Sequence, residues 1–498
     1  MISIDNKARF RYRMIVDMNK AKIKNAIKSA ADTAECLIGP DCIYQLPDIF
    51  KKYFPGAKAV VVADDNTFKA AGRRVNDKLK SIGFEVINPF VFPAKPMLHA
   101  DYRHVEALRD FLITYDTIAI AVGSGTINDI VKLASHESSR KYMVVPTAAS
   151  VDGYSAYGAS ISINGLKQTL ECAAPLVIVA DTQVLQKAPT EMTAAGYADL
   201  LGKITAGADW IIADSINVEA IGPASWNMVQ TDLRQWTSQP KNLSEGDLRA
   251  IEHLFEGLIM TGLAMQTQKS SRPASGTEHL FSHTWEMQNL EKDGVPVSHG
   301  FKVGIGTLAA CAMMETIFAK DINQLNIDTA CDKYPSPTER EKQVRNALGA
   351  TPAGIGPGGR WAKRRSAKEN LLGSQSIGRR IVEQAGEGIV SGIVTASRSK
   401  HLSKNDLRDR LGLIKSRWND MRSKVSTHLL PYSELLARLA AAGCPTAPDQ
   451  INLSREQVKE TFLLAQMIRE RYTVLDLAYE MSWLEDGVQE IYLSDTYL

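Results

Sequence analysis

Short apolar runs alternate with helical patterns over the first part of the chain. Between the runs, apolar residues recur at the three- and four-residue spacing of amphipathic helices. Because parallel strands are joined by helical crossovers, this alternation predicts a parallel sheet covered by helices on both faces. Five runs rich in β-branched residues predict its strands, at residues 57–63, 84–88, 117–122, 142–145 and 176–181.

Beyond about Pro189 the pattern is helical almost without interruption. The sequence therefore predicts two domains: an α/β domain over residues 1–188, in which 1–35 form a charged helical lead-in, and an all-helical domain over 189–498. One interruption is Ala350–Gly359, where four glycines and two prolines predict a loop. The basic run that follows is interpreted as a solvated flank of this loop rather than a nucleic-acid surface.

The composition indicates a chain that can bury a large core. Its 498 residues, 44% hydrophobic, exceed the size at which a single core usually divides. With 58 basic and 56 acidic residues the formal charge is +2, which excludes binding of nucleic acid by bulk charge. Six cysteines without a C-x-x-C pair are typical of free thiols in a reducing compartment. Because we find neither a signal region nor about 18 consecutive apolar residues, we expect a soluble cytoplasmic protein without a membrane span.

Three of the nine histidines lie within one short stretch. His279 and His283 are four residues apart, so a helix would project both from the same face. His299 follows a polar turn at Glu291–Gly294 that would fold a second helix back against the first. Converging imidazoles are good ligands for zinc, nickel or iron, and a carboxylate would complete the set. The spacing alone equally fits histidines that are hydrogen-bonded to their neighbours.

A glycine-containing turn follows the third predicted strand, in the segment Gly123–Asp129. Glycine lets the backbone approach a diphosphate, and the next helix offers free N–H groups to the anion. Because Asn128 stands where a dinucleotide fingerprint has its third glycine, the dinucleotide-binding motif is not met. A tight strand-to-helix turn without a ligand is the alternative.

Two further strand exits carry polar residues. Asp64 ends the first strand, where an acid can hydrogen-bond a ribose hydroxyl or cap a helix. Thr147, Ser150 and Asp152 cluster after the fourth strand, which indicates a ligand-binding loop or a set of side-chain turns. Asp199 lies in an apolar helical setting, so its carboxylate needs a partner, either Lys203 or a metal.

Taken in chain order, five segments resemble the iron-containing alcohol dehydrogenase superfamily, and within it the sn-glycerol-1-phosphate dehydrogenases with their bacterial AraM-type members. The segments are GSGTIND, PTAASVDGY, GYADLLGK, SGTEHLFSH and VSHG. The likeness extends from about Cys36 to Ile468–Asp476, with residues 350–395 as an insertion. It implies an α/β nucleotide-binding domain with a parallel sheet, an all-α C-terminal domain, and a site in the cleft between them.

The resemblance also implies a metal and substrate site. Asp199, His279 and His299 would ligate one divalent metal, which could be zinc, nickel or iron. Asp152 and His283 would face the substrate, and Asp199 could touch it while ligating the metal. His283 and Asp199 are therefore the catalytic residues that the resemblance implies.

For the cofactor, NAD or NADP, the resemblance implies a contact from Asp64 to the adenosine ribose. Thr147 and Ser150 would hold the rest of the dinucleotide together with the residues of the glycine-containing turn. That set is Gly123, Ser124, Gly125, Thr126, Ile127, Asn128 and Asp129.

The sequence departs from the family pattern at two positions. Lys203 stands where many metal-dependent members have a fourth ligand, a histidine, and this favours the three-ligand glycerol-type branch. Ala156 stands where the family usually has a serine, and Ser155 precedes it, so one cofactor contact is in doubt.

The activity that the resemblance implies is reversible reduction of dihydroxyacetone phosphate to sn-glycerol 1-phosphate. A glycerol or polyol dehydrogenase, and a dehydroquinate-synthase-like cyclase using NAD and a metal, are the alternatives within the superfamily. In the cyclases the first ligand is normally glutamate, so Asp199 argues against that group. A nucleotide-binding regulatory protein without catalysis would have no need of three ligands. We expect a small phosphorylated substrate and a homo-oligomer.

Overall fold

The computed structural model describes residues 21–163, 166–349 and 376–497. The predicted lead-in and the predicted insertion are therefore only partly visible, and the predicted loop Ala350–Gly359 lies outside the described residues. Residues 21–29 of the lead-in form helix α1. The described end of the insertion lies in the helix Ile377–Ser399.

Six parallel strands form one sheet in the order β1-β8-β5-β4-β2-β3. The parallel sheet predicted from the sequence is thereby confirmed. The interior strand β2 reads as a continuous apolar run because helices cover both of its faces. The strands of this sheet are β1 (Glu35–Gly39), β2 (Lys58–Asp64), β3 (Phe90–Phe92), β4 (Thr117–Gly123), β5 (Met143–Pro146) and β8 (Val177–Asp181).

Three details of the sheet differ from the sequence prediction. The strand predicted at 84–88 makes only a single bridge, Val86 to Ala59, and the paired edge strand is the later β3. Strand β1 was missed because its charged flank was assigned to the lead-in. An antiparallel pair, β6 (Ala159–Ile163) with β7 (Leu166–Leu170), was also missed.

The helices that alternate with the strands are α2 (Leu46–Tyr53), α3 (Asp65–Thr67) continued by a π-turn into α4 (Arg73–Ser81), α5 (Tyr102–Tyr115), α6 (Gly125–Glu137) and α7 (Thr182–Gln186). Buried aliphatic residues of the strands and of α2 and α4 form one core, which includes Val61, Val122, Val145 and Val179. This core fixes the strand ends from which the predicted cofactor residues project.

The rest of the described chain is helical, as predicted, apart from a short hairpin of β9 (Glu291–Lys292) with β10 (Val295–Pro296). Its helices are α8 (Thr190–Leu201), α9 (Lys203–Ser215), α10 (Pro223–Gln230), α11 (Leu233–Trp236), α12 (Pro240–Ser244), α13 (Leu248–Gln268), α14 (Thr277–Met287), α15 (His299–Ala319), α16 (Ile327–Lys333), α17 (Pro337–Ala347), α18 (Ile377–Ser399), α19 (Lys404–His428), α20 (Tyr432–Ala441), α21 (Arg455–Met467), α22 (Val474–Glu480) and α23 (Leu484–Leu493).

The described residues form two compact units. The first holds the chain up to Leu201, together with Gly222–Ala274 and Ala441–Cys444, and so includes the sheet. The second holds Gly202–Ile221 and the rest of the described helices. The predicted division between residues 188 and 189 stays a prediction.

Helix α15 is the one described helix that is long and apolar enough to cross a membrane by length and composition. Sequence analysis did not single it out, because Lys302 and Glu315 interrupt the run. Of its apolar window, 89% is buried against protein, as in the core helix of a globular unit. The composition of α15 is therefore weak evidence for a membrane span.

Candidate functional site

The turn after β4 is shaped by glycine and by a neighbouring strand. Gly123 pairs with Pro146 in the parallel register, and the N–H of Thr147 donates to the Gly123 carbonyl at 3.1 Å. A Cβ added at Gly123 would lie 2.5 Å from Cβ of Ile127, so only glycine permits this approach. The register thus brings two of the predicted cofactor segments side by side.

The predicted cofactor residues of this turn do not all present side chains to a ligand. Ile127 packs on Gly123, and Asn128 is buried, donating to the Gly153 carbonyl at 3.2 Å and accepting from the Tyr142 hydroxyl at 3.0 Å. Asp129 accepts from the N–H of Ser160 at 3.3 Å. What the turn offers a diphosphate is the N-terminus of α6, whose first N–H groups have no intrahelical partner.

Asp64 caps a helix in this structure. Its Oδ1 accepts from the N–H groups of Asn66 and Thr67, both at 2.8 Å, and Thr67 completes a capping box. Oδ1 of Asp64 therefore acts as the helix cap, one of the two roles that the sequence allowed for this residue. The other carboxylate oxygen, Oδ2, accepts no hydrogen bond from the described residues, which leaves an acceptor for a ribose hydroxyl.

One lysine, missed by the sequence analysis, holds the loop after β5. Lys132 on α6 is buried, and its Nζ donates to the carbonyls of Gly153, Ala156 and Gly158 at 2.8–3.0 Å. Three carbonyls satisfy all three ammonium protons. Lys132 thereby fixes the path of the segment that begins at Asp152.

Ala156, which stands where the family usually has a serine, and the preceding Ser155 are both buried. Ser155 is fully buried, and its hydroxyl donates to the Ile259 carbonyl on α13 at 2.8 Å. Ala156 is 7% exposed. The Ser155 hydroxyl is engaged with protein and does not replace the side chain missing at position 156. Thr147 and Ser150 are also buried, and Ser150 hydrogen-bonds the hydroxyl of Tyr154.

Helix α8 sets the position of Asp199 by backbone contact. A Cβ added at Gly196 would lie 1.9 Å from the Ala149 carbonyl oxygen, so the helix backbone rests against the loop after β5. Three residues later the fully buried Asp199 accepts from the N–H of Asp152 through Oδ2, at 3.1 Å. This contact joins two of the predicted site residues.

The three histidines converge on helices α14 and α15, which pack against each other as predicted. His279 and His283 project from α14 with ring centroids 6.1 Å apart, and His299 opens α15 at 5.2 Å from His279. Each ring has a carboxylate at Nδ1. Glu278 Oε1 lies 2.8 Å from Nδ1 of His279, and Glu286 Oε1 lies 2.8 Å from Nδ1 of His299.

His279 and His299 belong to the second unit and Asp199 to the first, and the three are residues of the kind that could hold a metal ion. Because Nδ1 of both imidazoles faces a carboxylate, Nε2 is left to bind a metal, which is the arrangement of histidine ligands in metal sites. One carboxylate oxygen and two imidazole nitrogens suit zinc, nickel and iron. The residues therefore fit a divalent metal.

His283 is a different kind of histidine. Its Nδ1 lies 3.3 Å from Oε2 of Glu286, and it is outside the three-ligand group. Burial lowers the pKa of His283; Glu286 acts against this shift, and the charge of Arg469 acts with it. The neutral imidazole is therefore favoured, a form that can hydrogen-bond a hydroxyl or carbonyl group.

Comparison with known proteins supports the resemblance. A sequence profile of the iron-containing alcohol dehydrogenase family matches residues 37–189. The protein of Bacillus subtilis named NAD(P)+ glycerol-1-phosphate dehydrogenase is 33% identical over 342 residues, covering 67% of this chain and 84% of that protein. This chain belongs to the glycerol-1-phosphate dehydrogenase family. The Bacillus velezensis member is 38% identical over 261 residues, 52% of this chain and 65% of its own length.

Solved structures show the same fold. Glycerol dehydrogenase from Schizosaccharomyces pombe has a TM-score of 0.52 at 15% identity, covering 93% of this chain and 91% of its own. Maleylacetate reductase from Agrobacterium tumefaciens has a TM-score of 0.53 at 11% identity, covering 92% and 96%. These similarities confirm the fold predicted for this member of the glycerol-1-phosphate dehydrogenase family.

Two glutamates of this family member escaped the sequence analysis. Glu278 is fully buried; its Oε1 also accepts from the N–H of Gly276 at 2.7 Å, and its Oε2 from Thr205 Oγ1 at 3.0 Å. Burial raises the pKa of Glu278, and Lys203 acts in the opposite direction. Glu286 lies seven residues after His279, so helical spacing puts it on the histidine face. This spacing could have identified Glu286 from the sequence.

Proposed function

We propose that this chain is an NAD(P)-dependent glycerol-1-phosphate dehydrogenase that reversibly reduces dihydroxyacetone phosphate to sn-glycerol 1-phosphate. Family membership and the neighbouring imidazoles of His279 and His299 support this proposal. The bound cofactor would supply a hydride for the carbonyl carbon, and a proton would be added to the carbonyl oxygen. The protein must orient both reactants and stabilise charge at that oxygen.

In the proposed site, Asp199, His279 and His299 hold one divalent metal, with zinc, nickel and iron as candidates. When bound, the metal supplies Lewis acidity at the carbonyl oxygen. Asp152 and His283 hydrogen-bond the substrate. The Asp152 N–H donates to Asp199, so the substrate-side loop is tied to the metal-ligating helix.

On the cofactor side, we propose that the N-terminus of α6 binds the diphosphate through backbone N–H groups. The free Oδ2 of Asp64 would accept from the adenosine ribose. Thr147 and Ser150 would line the path between these two ends. A ribose contact of this kind would favour NAD by repelling a 2′-phosphate.

For the phosphate of the substrate, we propose Arg469. It is exposed in the segment between α21 and α22, and its positive charge acts on the half-buried His283. An arginine guanidinium matches a phosphate with two parallel hydrogen bonds. Arg469 is therefore the cation that we expect to distinguish dihydroxyacetone phosphate from dihydroxyacetone.

An initial-rate screen tests the function. Dihydroxyacetone phosphate, dihydroxyacetone and glycerol are offered with NADH, NADPH or their oxidised forms, after chelation and after add-back of zinc, nickel or iron. We expect steady NAD(P)H consumption with dihydroxyacetone phosphate, lost on chelation and restored by one metal. Turnover of glycerol alone would indicate a polyol dehydrogenase, and product formation without net NAD(P)H consumption would indicate a cyclase.

We further propose that the protein is a homo-oligomer located in the cytoplasm. Light scattering of the purified protein tests the oligomeric state, and fractionation of cells tests the location.

A further inference from the structure

Glu286 divides its carboxylate between two histidines of different proposed roles. Its side chain is 8% exposed. Oε1 lies 2.8 Å from Nδ1 of His299, and Oε2 lies 3.3 Å from Nδ1 of His283. The ammonium of Lys302 lies 3.3 Å from Oε1, and the hydroxyl of Ser282 donates to the same oxygen at 3.5 Å. One carboxylate is thus the meeting point of both rings.

The ionised carboxylate of Glu286 holds the imidazoles of His283 and His299 in the same tautomer. An ionised carboxylate only accepts hydrogen bonds, so each imidazole that bonds to it must carry its proton on Nδ1. In a neutral ring the lone pair is then on Nε2, the atom that would face a metal or a substrate. The buried charge needs a cation, and Lys302, itself 6% exposed, supplies it.

We propose that Glu286 is a positioning residue that orients the metal ligand His299 and the substrate-side His283 together. This inference rests on the proposed function for the roles of the two histidines. The other metal-ligating imidazole, His279, depends on a separate carboxylate, Glu278. Loss of Glu286 therefore affects metal binding and the substrate step, whereas loss of Glu278 affects metal binding alone.

Two substitutions separate the two effects. Glu286→Ala removes both acceptors, and we expect the dissociation constant of Zn²⁺ to rise about 10- to 100-fold, as when other supporting groups of metal ligands are removed. Glu286→Gln keeps one acceptor oxygen, which His299 and Lys302 can share, but turns an amide N–H towards His283. In this variant we expect the Zn²⁺ affinity to fall less than tenfold, while kcat falls at least tenfold with little change in KM.

The measurements are Zn²⁺ affinity by competition with a chromophoric chelator, steady-state kinetics, and the nitrogen NMR shifts of ¹⁵N-labelled histidine in the metal-free protein. In Glu286→Gln the His283 proton should move from Nδ1 to Nε2, a change that general destabilisation would not produce. Glu480→Gln is the matched control. It alters another buried glutamate of the same unit, bonded to Arg410 at 2.9 Å and Tyr472 at 2.8 Å. This control should change the melting temperature without changing Zn²⁺ affinity.

Unchanged Zn²⁺ affinity in Glu286→Ala, or unchanged histidine tautomers in Glu286→Gln, would overturn the inference. Because these two readouts need no substrate, they also separate it from the proposed function. If wild-type protein fails to turn over dihydroxyacetone phosphate but the variants lose Zn²⁺ and the tautomer changes, the positioning role stands and the assigned reaction is wrong.

Discussion

The turn around Gly123 and the histidine-bearing helices α14 and α15 are built in opposite ways. The turn is held by backbone groups: Gly123 meets Thr147 through main-chain atoms, and Lys132 binds three carbonyls. The histidines are held by side chains, with Glu278 and Glu286 placed on their Nδ1 atoms. The first region should therefore tolerate exchanged side chains other than Lys132 but no added Cβ, whereas the second should be sensitive to loss of a single carboxylate or imidazole.

The largest effect is expected in the histidine region. His279→Ala removes a proposed ligand, and Lewis-acid assistance is worth several kcal/mol, so activity should fall by roughly 1,000-fold or more. Bound metal should be lost together with activity, because two ligands remain. NAD(P) affinity, measured by calorimetry, should be unchanged. A variant that retains both stoichiometric metal and full turnover would contradict the ligand assignment.

In the turn, the corresponding large effect should come from Lys132. Lys132→Met leaves three buried carbonyls without their charged donor, and we expect a loss of about 2–4 kcal/mol in the free energy of unfolding. Urea denaturation measures this loss. Zn²⁺ affinity should change less than in Glu286→Ala, since Lys132 bonds to the backbone of the loop and pairs with Asp129 rather than with either histidine. Wild-type stability in Lys132→Met would show that water replaces the ammonium.

Arg469 offers a test at the substrate. In Arg469→Gln one charge-assisted contact is lost, so KM for dihydroxyacetone phosphate should rise about 10- to 100-fold. The rate with dihydroxyacetone, which lacks the phosphate, should stay the same. Equal losses with both substrates would mean that Arg469 acts on His283 rather than on phosphate.

Gly196 tests the backbone rule directly. In Gly196→Ala the new Cβ would collide with the Ala149 carbonyl, so we expect a loss of about 1–3 kcal/mol in stability and a weaker cofactor affinity. Gly412→Ala on α19 is the matched control, because nothing lies within 4 Å of its added Cβ. That control should gain up to about 1 kcal/mol from helix propensity. Equal effects at the two positions would contradict the close approach of α8.

The smallest effect concerns Glu256, a buried glutamate outside both regions. It shows how burial alone affects a glutamate, for comparison with Glu278 and Glu286. Burial raises the pKa of Glu256 on α13 to about 7. In the unfolded chain a glutamate titrates near about 4.3, so between pH 4.3 and 7 only the folded state keeps this proton. Stability should therefore fall as the pH rises through this window. Glu256→Gln should remove that slope and be more stable than wild type at pH 8. Denaturant unfolding at several pH values measures this difference. The same dependence of stability on pH in wild type and Glu256→Gln would contradict the raised pKa of Glu256.

The sequence predicted the sheet well because buried parallel strands read as continuous apolar runs, as β2 and β4 do. The run at 84–88 was misplaced because the edge strand β3 is only three residues long and follows Pro89. Histidine spacing pointed to the convergence of His279 with His299, since the polar turn at Glu291–Gly294 could fold a second helix back against the first. The carboxylates were missed because Glu278 and Glu286 look like ordinary helical glutamates until burial removes their water. Lys132 was missed for the same reason.

The bonds made by Lys132 have a consequence for exchanging parts between relatives. Strands β4 and β5, helix α6 and the loop to Gly158 are held to one another by bonds that begin and end within residues 117–158. Such a segment can be transplanted as one cassette, for example to change cofactor preference. Its contacts with neighbouring helices include Ala149 against Gly196, Asp152 to Asp199, Ser155 to Ile259, and Glu137 to Tyr102 and Arg109. A graft must keep these contacts and the pairing of β4 with β2 and of β5 with β8. One that ends between Lys132 and Gly158 would separate the Lys132 ammonium from its carbonyls.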